Sequence, residues 1–315
     1  MSEVTYCFIV NPEAGGGFAG RSWPVLREKL KTAGVAYRHF HSQHSGHGRE
    51  LARAAFESGE RHFIAVGGDG TANEVLNGLL DASESGAAEF CLGTVPWGTG
   101  NDWARYYGFS SRPDPVIQAL QSGSCIQQDI GRASFTDGAG SSRNHYFLNC
   151  AGTGFDSYLL REMTAAQGSR FRYFMFLLKC LRKFQAVPVQ VNMDCESIED
   201  DILLLEVCLG KFAGAGMQFA PSALADDGLF DVLLINDLSK IELLSSLFYL
   251  YNGRINEHRA VNNWQCRSIS ISGATGQYLH CDGELVGQLP VDIEILPGAL
   301  NVLCLLYTSP SPRDS

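Results

Sequence analysis

Over the first 120 residues, short apolar runs alternate with segments whose apolar residues recur at helical spacing. Val4–Val10, Val35–Phe40, Phe63–Val66 and Cys91–Val95 have strand length, and Ser22–Ala33, His47–Ser58 and Ala72–Asp81 lie between them with apolar residues three and four apart. Strand, helix, strand in this rhythm predicts βαβ units around a parallel sheet, with ligand sites at the carboxyl ends of the strands. Beyond about residue 123 the rhythm changes. Tyr146–Ala151, Val187–Met193, Ile202–Leu209, Phe230–Ile235, Ser268–Ser272 and Val291–Leu296 read as strands separated by turns. Only Asp156–Phe184 and Leu238–Tyr251 are long helical patterns, and Thr136–Ser142 is an exposed loop. The expected fold class is α/β with two domains. Residues 1–122 form an α/β domain on a parallel sheet, and residues 123–303 form a β-rich, sandwich-like domain of antiparallel strands, with a cleft between the two.

Composition narrows this without redirecting it. A chain of 315 residues, 45% apolar and 18% charged, has room for two cores and the make-up of a globular protein. Its net charge of −10 argues against nucleic acid as the main partner, although a local basic patch can still meet a membrane surface. The 10 cysteines are scattered singly, with no CxxC pair and no Cys/His cluster, so neither a zinc site nor a disulfide framework is expected. A reducing, cytoplasmic setting follows. The first residues lack the pattern of a secretory leader, and no apolar run is long enough to span a bilayer. Residues 304–315 change character abruptly and resemble a translated sequencing-library adapter, so the native reading is expected to end near Leu303.

Three glycine-rich loops follow strand candidates one, three and four. They are Asn11-Pro12-Glu13-Ala14-Gly15-Gly16-Gly17, Gly67-Gly68-Asp69-Gly70-Thr71-Ala72-Asn73, and Pro96-Trp97-Gly98-Thr99-Gly100-Asn101-Asp102. Glycines let the backbone turn with positive φ and approach an anion, and a helix start behind the loop adds its N–H groups. Three such loops at one sheet edge predict a phosphate-binding crevice, to which Ser42 can add a hydroxyl. Asn101 or Asp102 is the expected N-cap of the helix after the third loop. His39, His41, His44 and His47 are expected on a solvent-exposed loop, without metal-ligand partners.

Together, Asn11-Pro12 with its glycine run, Gly67-Gly68-Asp69-Gly70-Thr71 with Asn73-Glu74, and Pro96-x-Gly98-Thr99-x-Asn101-Asp102 resemble the diacylglycerol kinase catalytic family. The likeness continues through Asn149-x-x-Gly152-x-Gly154-Phe155-Asp156, Gly214-x-Gly216-Met217-x-x-Ala220-Pro221, Asp226-Asp227-Gly228-x-x-Asp231 and Asp282-Gly283-Glu284, and covers about residues 4–303. It implies phosphate transfer from ATP to a lipid hydroxyl such as that of diacylglycerol, with Mg²⁺ as cofactor. By resemblance Asn11, Ser42, Gly67, Gly68, Asp69, Gly70, Thr71, Ala72, Asn73 and Thr99 contact ATP. Asp69 acts through Mg²⁺ or as base, Glu284 matches the proton acceptor with Asp282 beside it, and Leu224, Asp227 and Leu229 hold Mg²⁺. Two departures stand out, Trp97 in the third loop and Ser42 where threonine is expected. Gly-Gly-Asp-Gly-Thr is shared with NAD kinases, so a kinase of a soluble acceptor is one alternative, and a non-catalytic nucleotide-binding regulator is another.

Ser169–Gln185 is both apolar and basic, carrying Arg170, Arg172, Lys179, Arg182 and Lys183. It reads either as a segment lying on an anionic lipid surface or as a core helix with basic side chains reaching to solvent. The expected partner is a lipid substrate at a membrane surface, met by peripheral association and without a transmembrane segment. The oligomeric state is left open.

Overall fold

A computed structural model describes residues 4–83, 89–163, 176, 179–180, 182–194, 196–236, 238, 242 and 248–303. It divides into two compact units, one running to Gln128 and including the segment from Gly298, the other Asp129–Pro297. The expected tail at 304–315 and most of Ser169–Gln185 lie outside the described residues. Of that basic segment Lys179, Arg182 and Lys183 are exposed, Cys180 is buried, and Phe184 packs against Phe155 and Tyr158.

The first unit runs β1 (Tyr6–Val10), α1 (Ala14–Thr32), β2 (Tyr37–His41), α2 (His47–Glu57), β3 (His62–Gly67), α3 (Asp69–Ala82), β4 (Cys91–Pro96), α4 (Asp102–Tyr106) and α5 (Pro113–Ser122). β1 pairs in parallel with β2 and β3, and β3 with β4, so the four strands lie in the order β2-β1-β3-β4. β1 is buried at every position and β3 at all but its first, which is why both read as unbroken apolar runs rather than alternating ones. β2, on the edge, is half exposed. The carboxyl ends of β1, β3 and β4 each run straight into one of the glycine-rich loops.

The second unit is β-rich. Its elements are β5 (Cys125–Thr136), which starts in the first unit, β6 (Ser142–Phe147), β7 (Cys150–Gly154), α6 (Phe155–Glu162), β8 (Val187–Met193) and β9 (Glu196–Cys208). They continue with β10 (Phe212–Ala213), β11 (Met217–Gln218), β12 (Phe230–Asn236), β13 (Val261–Cys266), β14 (Ser268–Gly273), β15 (Tyr278–Cys281), β16 (Glu284–Gln288) and β17 (Val291–Leu303). β9 pairs antiparallel with β7, β8 and β12, and β15 with β7 and β16. Along β9 the two-residue period sends Leu205 and Val207 into a core with Phe147, Phe230 and Ile293. Leu204 and Cys208 turn to the opposite face, against Cys150, Leu233 and Ile255.

Three expectations change. The sequence pattern places 298–303 in the second domain, but the end of β17 pairs in parallel with β4 through Asn301 and Val302 and belongs to the first unit. Tyr146–Ala151 is not one strand. The backbone N–H groups of Leu148, Asn149 and Cys150 turn to the Asp282 carboxylate instead of a neighbouring strand, and the run breaks between β6 and β7. The histidines do not share a loop, because His39 and His41 lie in β2 with their rings against Trp23 and His47 begins α2. Burial there is the main influence lowering both imidazoles below their ordinary range, so they are neutral at pH 7.

Candidate functional site

In the first unit two of the glycine loops are locked edge to edge. Trp97 N–H donates to the Gly67 carbonyl at 2.8 Å, and the backbones at Gly68 and Gly98 are so close that a Cβ on Gly98 would stand 2.2 Å from Gly68 Cα. The Asp69 carboxylate completes the lock. One oxygen accepts from the N–H of Asp102 and the other from that of Trp103, each at 3.1 Å, so Asp69 caps the start of α4 from across the sheet edge. This corrects the expected N-cap. Asn101 occupies that position with φ 55° but bonds the Gly98 backbone in both directions, and the Asp102 side chain pairs with Arg105. A Gly98→Ala change is expected to destabilise this unit by about 3 kcal/mol, since the clash is backbone against backbone and has no flexible side chain to yield. Thermal unfolding of the variant measures it.

The expected ATP-contacting residues fall into two groups. Gly68, Asp69, Gly70, Asn11 and Ser42 are partly accessible and Thr99 is exposed, while Gly67, Thr71, Ala72 and Asn73 are buried. Asn11 Nδ2 donates to Thr71 Oγ1, which ties the first loop to the second, and Ser42 N–H donates to Val10. Glu74 turns away from the loops. Its carboxylate accepts from the N–H groups of Gly46 and Gly48 and caps α2, whose Gly46 holds φ 82°. Beside the loops lies a depression of about 320 Å³ lined by Gly15, Phe18, Arg21, Pro96, Trp97, Gly98 and Ser111. Arg21, which donates to the Gly16 carbonyl next to three consecutive positive-φ glycines, is a cation that the loop motifs did not single out. Trp97 is buried and anchored by its Nε1–H on the Ser111 carbonyl.

In the second unit the Asp-Gly-Glu segment is the turn between β15 and β16. Asp282 and Gly283 take φ 48° and 82°, the signature of an Asp-Gly hairpin turn. The Asp282 carboxylate reaches back to the N–H groups of Leu148, Asn149 and Cys150 at the start of β7, and its own N–H donates to the Cys150 carbonyl, so it clamps the turn to the sheet. Glu284, at the start of β16, is exposed. The turn at Leu224–Leu229 is held from Asp129, whose N–H donates to Ala225 and whose Oδ2 accepts from Gly228. Within that turn Asp227 Oδ1 accepts from Leu229 N–H.

Behind the hairpin is a cluster in which Gly152 and Asp156 of the quoted motifs meet two residues outside them, Glu206 and His280. Glu206 on β9, Gly152 on β7 and His280 on β15 stand in register across three strands. Because Gly152 has no side chain, His280 Nε2 meets Glu206 Oε1 at 3.1 Å and also touches Asp156 Oδ2 at the start of α6. A Cβ on Gly152 would stand 2.7 Å from Glu206 Oε2. Glu206 and His280 are only 2% and 4% exposed. Burial alone would lower the imidazole, but Asp156 and Glu206 together hold it well above its ordinary range. Burial, then the Asp156 charge, pushes the Glu206 carboxyl up to about 8. Burial would raise Asp156 too, and His280 overrides it, leaving that carboxyl low. The group is a charged imidazole between two carboxyl groups, one of them protonated near neutrality. Besides the motif residues Gly152 and Asp156, its trace in the sequence is a glutamate inside the apolar run Ile202–Leu209.

A parallel α/β unit with glycine-rich loops at the carboxyl ends of its strands, followed by an antiparallel β unit, defines a class of α/β proteins suited to a phosphate-bearing ligand. Comparison with known proteins makes the class specific. Residues 5–133 match the diacylglycerol kinase catalytic domain, and residues 150–304 match the YegS C-terminal NAD kinase beta sandwich-like domain. The chain belongs to the diacylglycerol kinase catalytic family. It is 29% identical to a diacylglycerol kinase of Staphylococcus epidermidis over 90% of this chain and 87% of that one. It is 27% identical to a diacylglycerol kinase of Mycobacterium tuberculosis over 94% and 93%. A crystal structure of a diacylglycerol kinase from Bacillus anthracis str. Sterne shares the fold, with a TM-score of 0.69 at 22% identity over 96% of this chain and 97% of that one.

Proposed function

We propose that this protein is an ATP- and Mg²⁺-dependent lipid kinase that phosphorylates the hydroxyl of diacylglycerol or a similar lipid. The observation that carries the reading is the Asp69 lock. It fixes the second and third glycine loops against each other while leaving Gly68, Gly70 and Thr99 at an accessible surface, where their N–H groups and hydroxyl suit a phosphate chain. Phosphoryl transfer asks the protein mainly for positioning and charge stabilisation, which rigid backbone loops supply. In this reading Asn11, Ser42, Gly67–Asn73 and Thr99 form the ATP site. Thr71, Ala72 and Asn73 act by shaping the loop from beneath, and the Arg21 cation lies beside the phosphates. With its oxygens engaged by the α4 amides, Asp69 orients loops and phosphates. Asp282 clamps the hairpin, and Glu284 accepts the proton of the attacking hydroxyl.

The turn at Leu224–Leu229 suits Mg²⁺ by its donors. The carbonyls of Leu224, Asp227 and Leu229 and the Asp227 carboxylate are hard oxygens on one exposed turn, and a single Asp227 oxygen is taken by Leu229 N–H. Bound there, the ion adds positive charge near the acceptor site. No helix among the described residues is long and apolar enough to cross a membrane, so the reading places the enzyme at a membrane surface by peripheral contact, in the cytoplasm where ATP is available. The relatives named diacylglycerol kinase make that lipid the first acceptor to test. Labelled ATP offered with diacylglycerol, monoacylglycerol, sphingosine, phosphatidylglycerol or NAD decides the matter. Transfer to diacylglycerol-type lipids is the expected result, and transfer to NAD alone overturns the lipid reading.

A further inference from the structure

Cys91 opens β4 and Cys125 opens β5, and their Sγ atoms stand 3.1 Å apart, thiol against thiol. A disulfide closes at about 2.05 Å, so the two sulfurs need to approach by only about 1 Å. Cys125 is exposed and Cys91 half-buried, whereas Cys7, Cys150, Cys208, Cys266 and Cys281 are sealed in the core. We propose that Cys91 and Cys125 are an oxidisable dithiol in which Cys125 attacks and Cys91 resolves, forming a reversible disulfide within the first unit.

The electrostatics agree with those roles. The two sulfurs share a hydrogen bond, and its effect, outweighing burial, holds the Cys125 thiol down at about 7. The same bond, and then burial, drives Cys91 up, so of the two Cys125 ionises first and Cys91 holds its proton longer. Tyr6 is a titratable group facing the pair. Its hydroxyl donates to the Leu120 carbonyl and is held protonated, by burial first and by the two thiols next. For the core cysteines burial first, and a neighbouring carboxylate next, push the thiol up, which leaves them unreactive.

The co-reactant is a small-molecule disulfide. The Cys125 thiolate attacks one of its sulfurs, that S–S bond breaks, and one thiolate leaves, giving a mixed disulfide on Cys125. Cys91 then gives its proton to solvent and attacks the Cys125 sulfur, expelling the second small thiolate. Two cysteine thiols are oxidised and one small disulfide is reduced to two thiols. The new bond joins the ends of the segment that contains β4, the Pro96–Asp102 loop, α4 and α5, including the amides that hold Asp69. Closing a loop of this length removes freedom from the unfolded chain and is expected to raise Tm by about 5 °C.

The test uses the whole protein and glutathione disulfide, and does not depend on the kinase reading. The expected result is an intact mass lower by about 2 Da, a linked Cys91–Cys125 peptide, the rise in Tm, and reversal of all three by dithiothreitol. Cys91→Ala is expected to stall as a glutathione adduct on Cys125, and its Cys125 alkylation profile should move from half-maximal near pH 7 towards the ordinary thiol range near 9. Cys125→Ser forms neither product. Free thiols at both positions after oxidation, adducts elsewhere first, or an unchanged alkylation profile in Cys91→Ala each overturn the proposal.

Discussion

Replacing His280 with alanine is expected to destabilise the second unit by about 3 kcal/mol or more. The change leaves Glu206, 2% exposed, and Asp156 facing each other without the cation that both contact. Removing one partner of a buried ion pair costs about 3–5 kcal/mol, because the remaining charge has neither water nor a counter-ion. The low end applies here, since Asp156 is partly exposed and Glu206 can relieve the repulsion by taking up a proton. Adding Glu206→Gln to His280→Ala removes one carboxylate and is expected to recover about half the loss. The pH dependence has a definite sign. His280 and Glu206 both hold protons in the folded state above their ordinary values of 6.5 and 4.5. Their contribution is complete below those values and is lost as pH rises, for Glu206 through about 8. Asp156 has the opposite sense, and its contribution is lost as pH falls below the ordinary value of 3.8. Wild-type stability is therefore expected to fall between pH 6 and 9, and His280→Ala to flatten that slope. Urea denaturation at the two pH values checks both points. A loss under 1 kcal/mol with an unchanged slope rules out the charged cluster.

What the sequence made legible follows from how local each interaction is. β1 and β3 were readable because burial on both faces leaves a continuous apolar run, and the loops behind them because glycine marks the turns itself. The cap of α4 was not readable. Asn101 and Asp102 are good capping types by local rule, yet the cap comes from Asp69, which only the pairing of β3 with β4 brings near. Glu74 likewise looked like part of the loop motif and proves to cap α2, a link set by how α2 packs on α3. Glu206, His280 and Asp156 are far apart in the chain, and only the register of β9, β7 and β15 aligns them. Gly152 was noted as part of a motif, but its purpose, leaving space for two side chains to meet, appears only across strands. The end of β17 was misassigned for the same reason, since a strand's partner is not written in its own apolar pattern.

Glu284→Gln is expected to lower kcat by about 10²–10⁴-fold while leaving the KM for ATP and the fold unchanged. The two carboxylates of the hairpin differ in their surroundings, and this separates their roles. Asp282 is bound to three backbone N–H groups, so its loss should loosen the turn and the start of β7. Glu284 lies one residue beyond Gly283, exposed at the start of β16, the position that the proposed function gives to the proton acceptor. Glutamine keeps its size and hydrogen-bonding reach but cannot accept a proton at neutral pH, so a general base is removed with little else disturbed. If Glu284 only positions the acceptor, the amide should preserve most of the turnover and the acceptor KM should rise instead. Asp69→Asn provides the contrast. The amide replaces one acceptor oxygen with a donor facing the α4 N–H groups, so the lock between the loops weakens, and KM for ATP and Tm are expected to shift together. Transfer assays on both variants, each with a thermal melt, distinguish the two outcomes. Near-normal kcat in Glu284→Gln with an intact melt would remove Glu284 as the base and leave the proton acceptor to be found elsewhere.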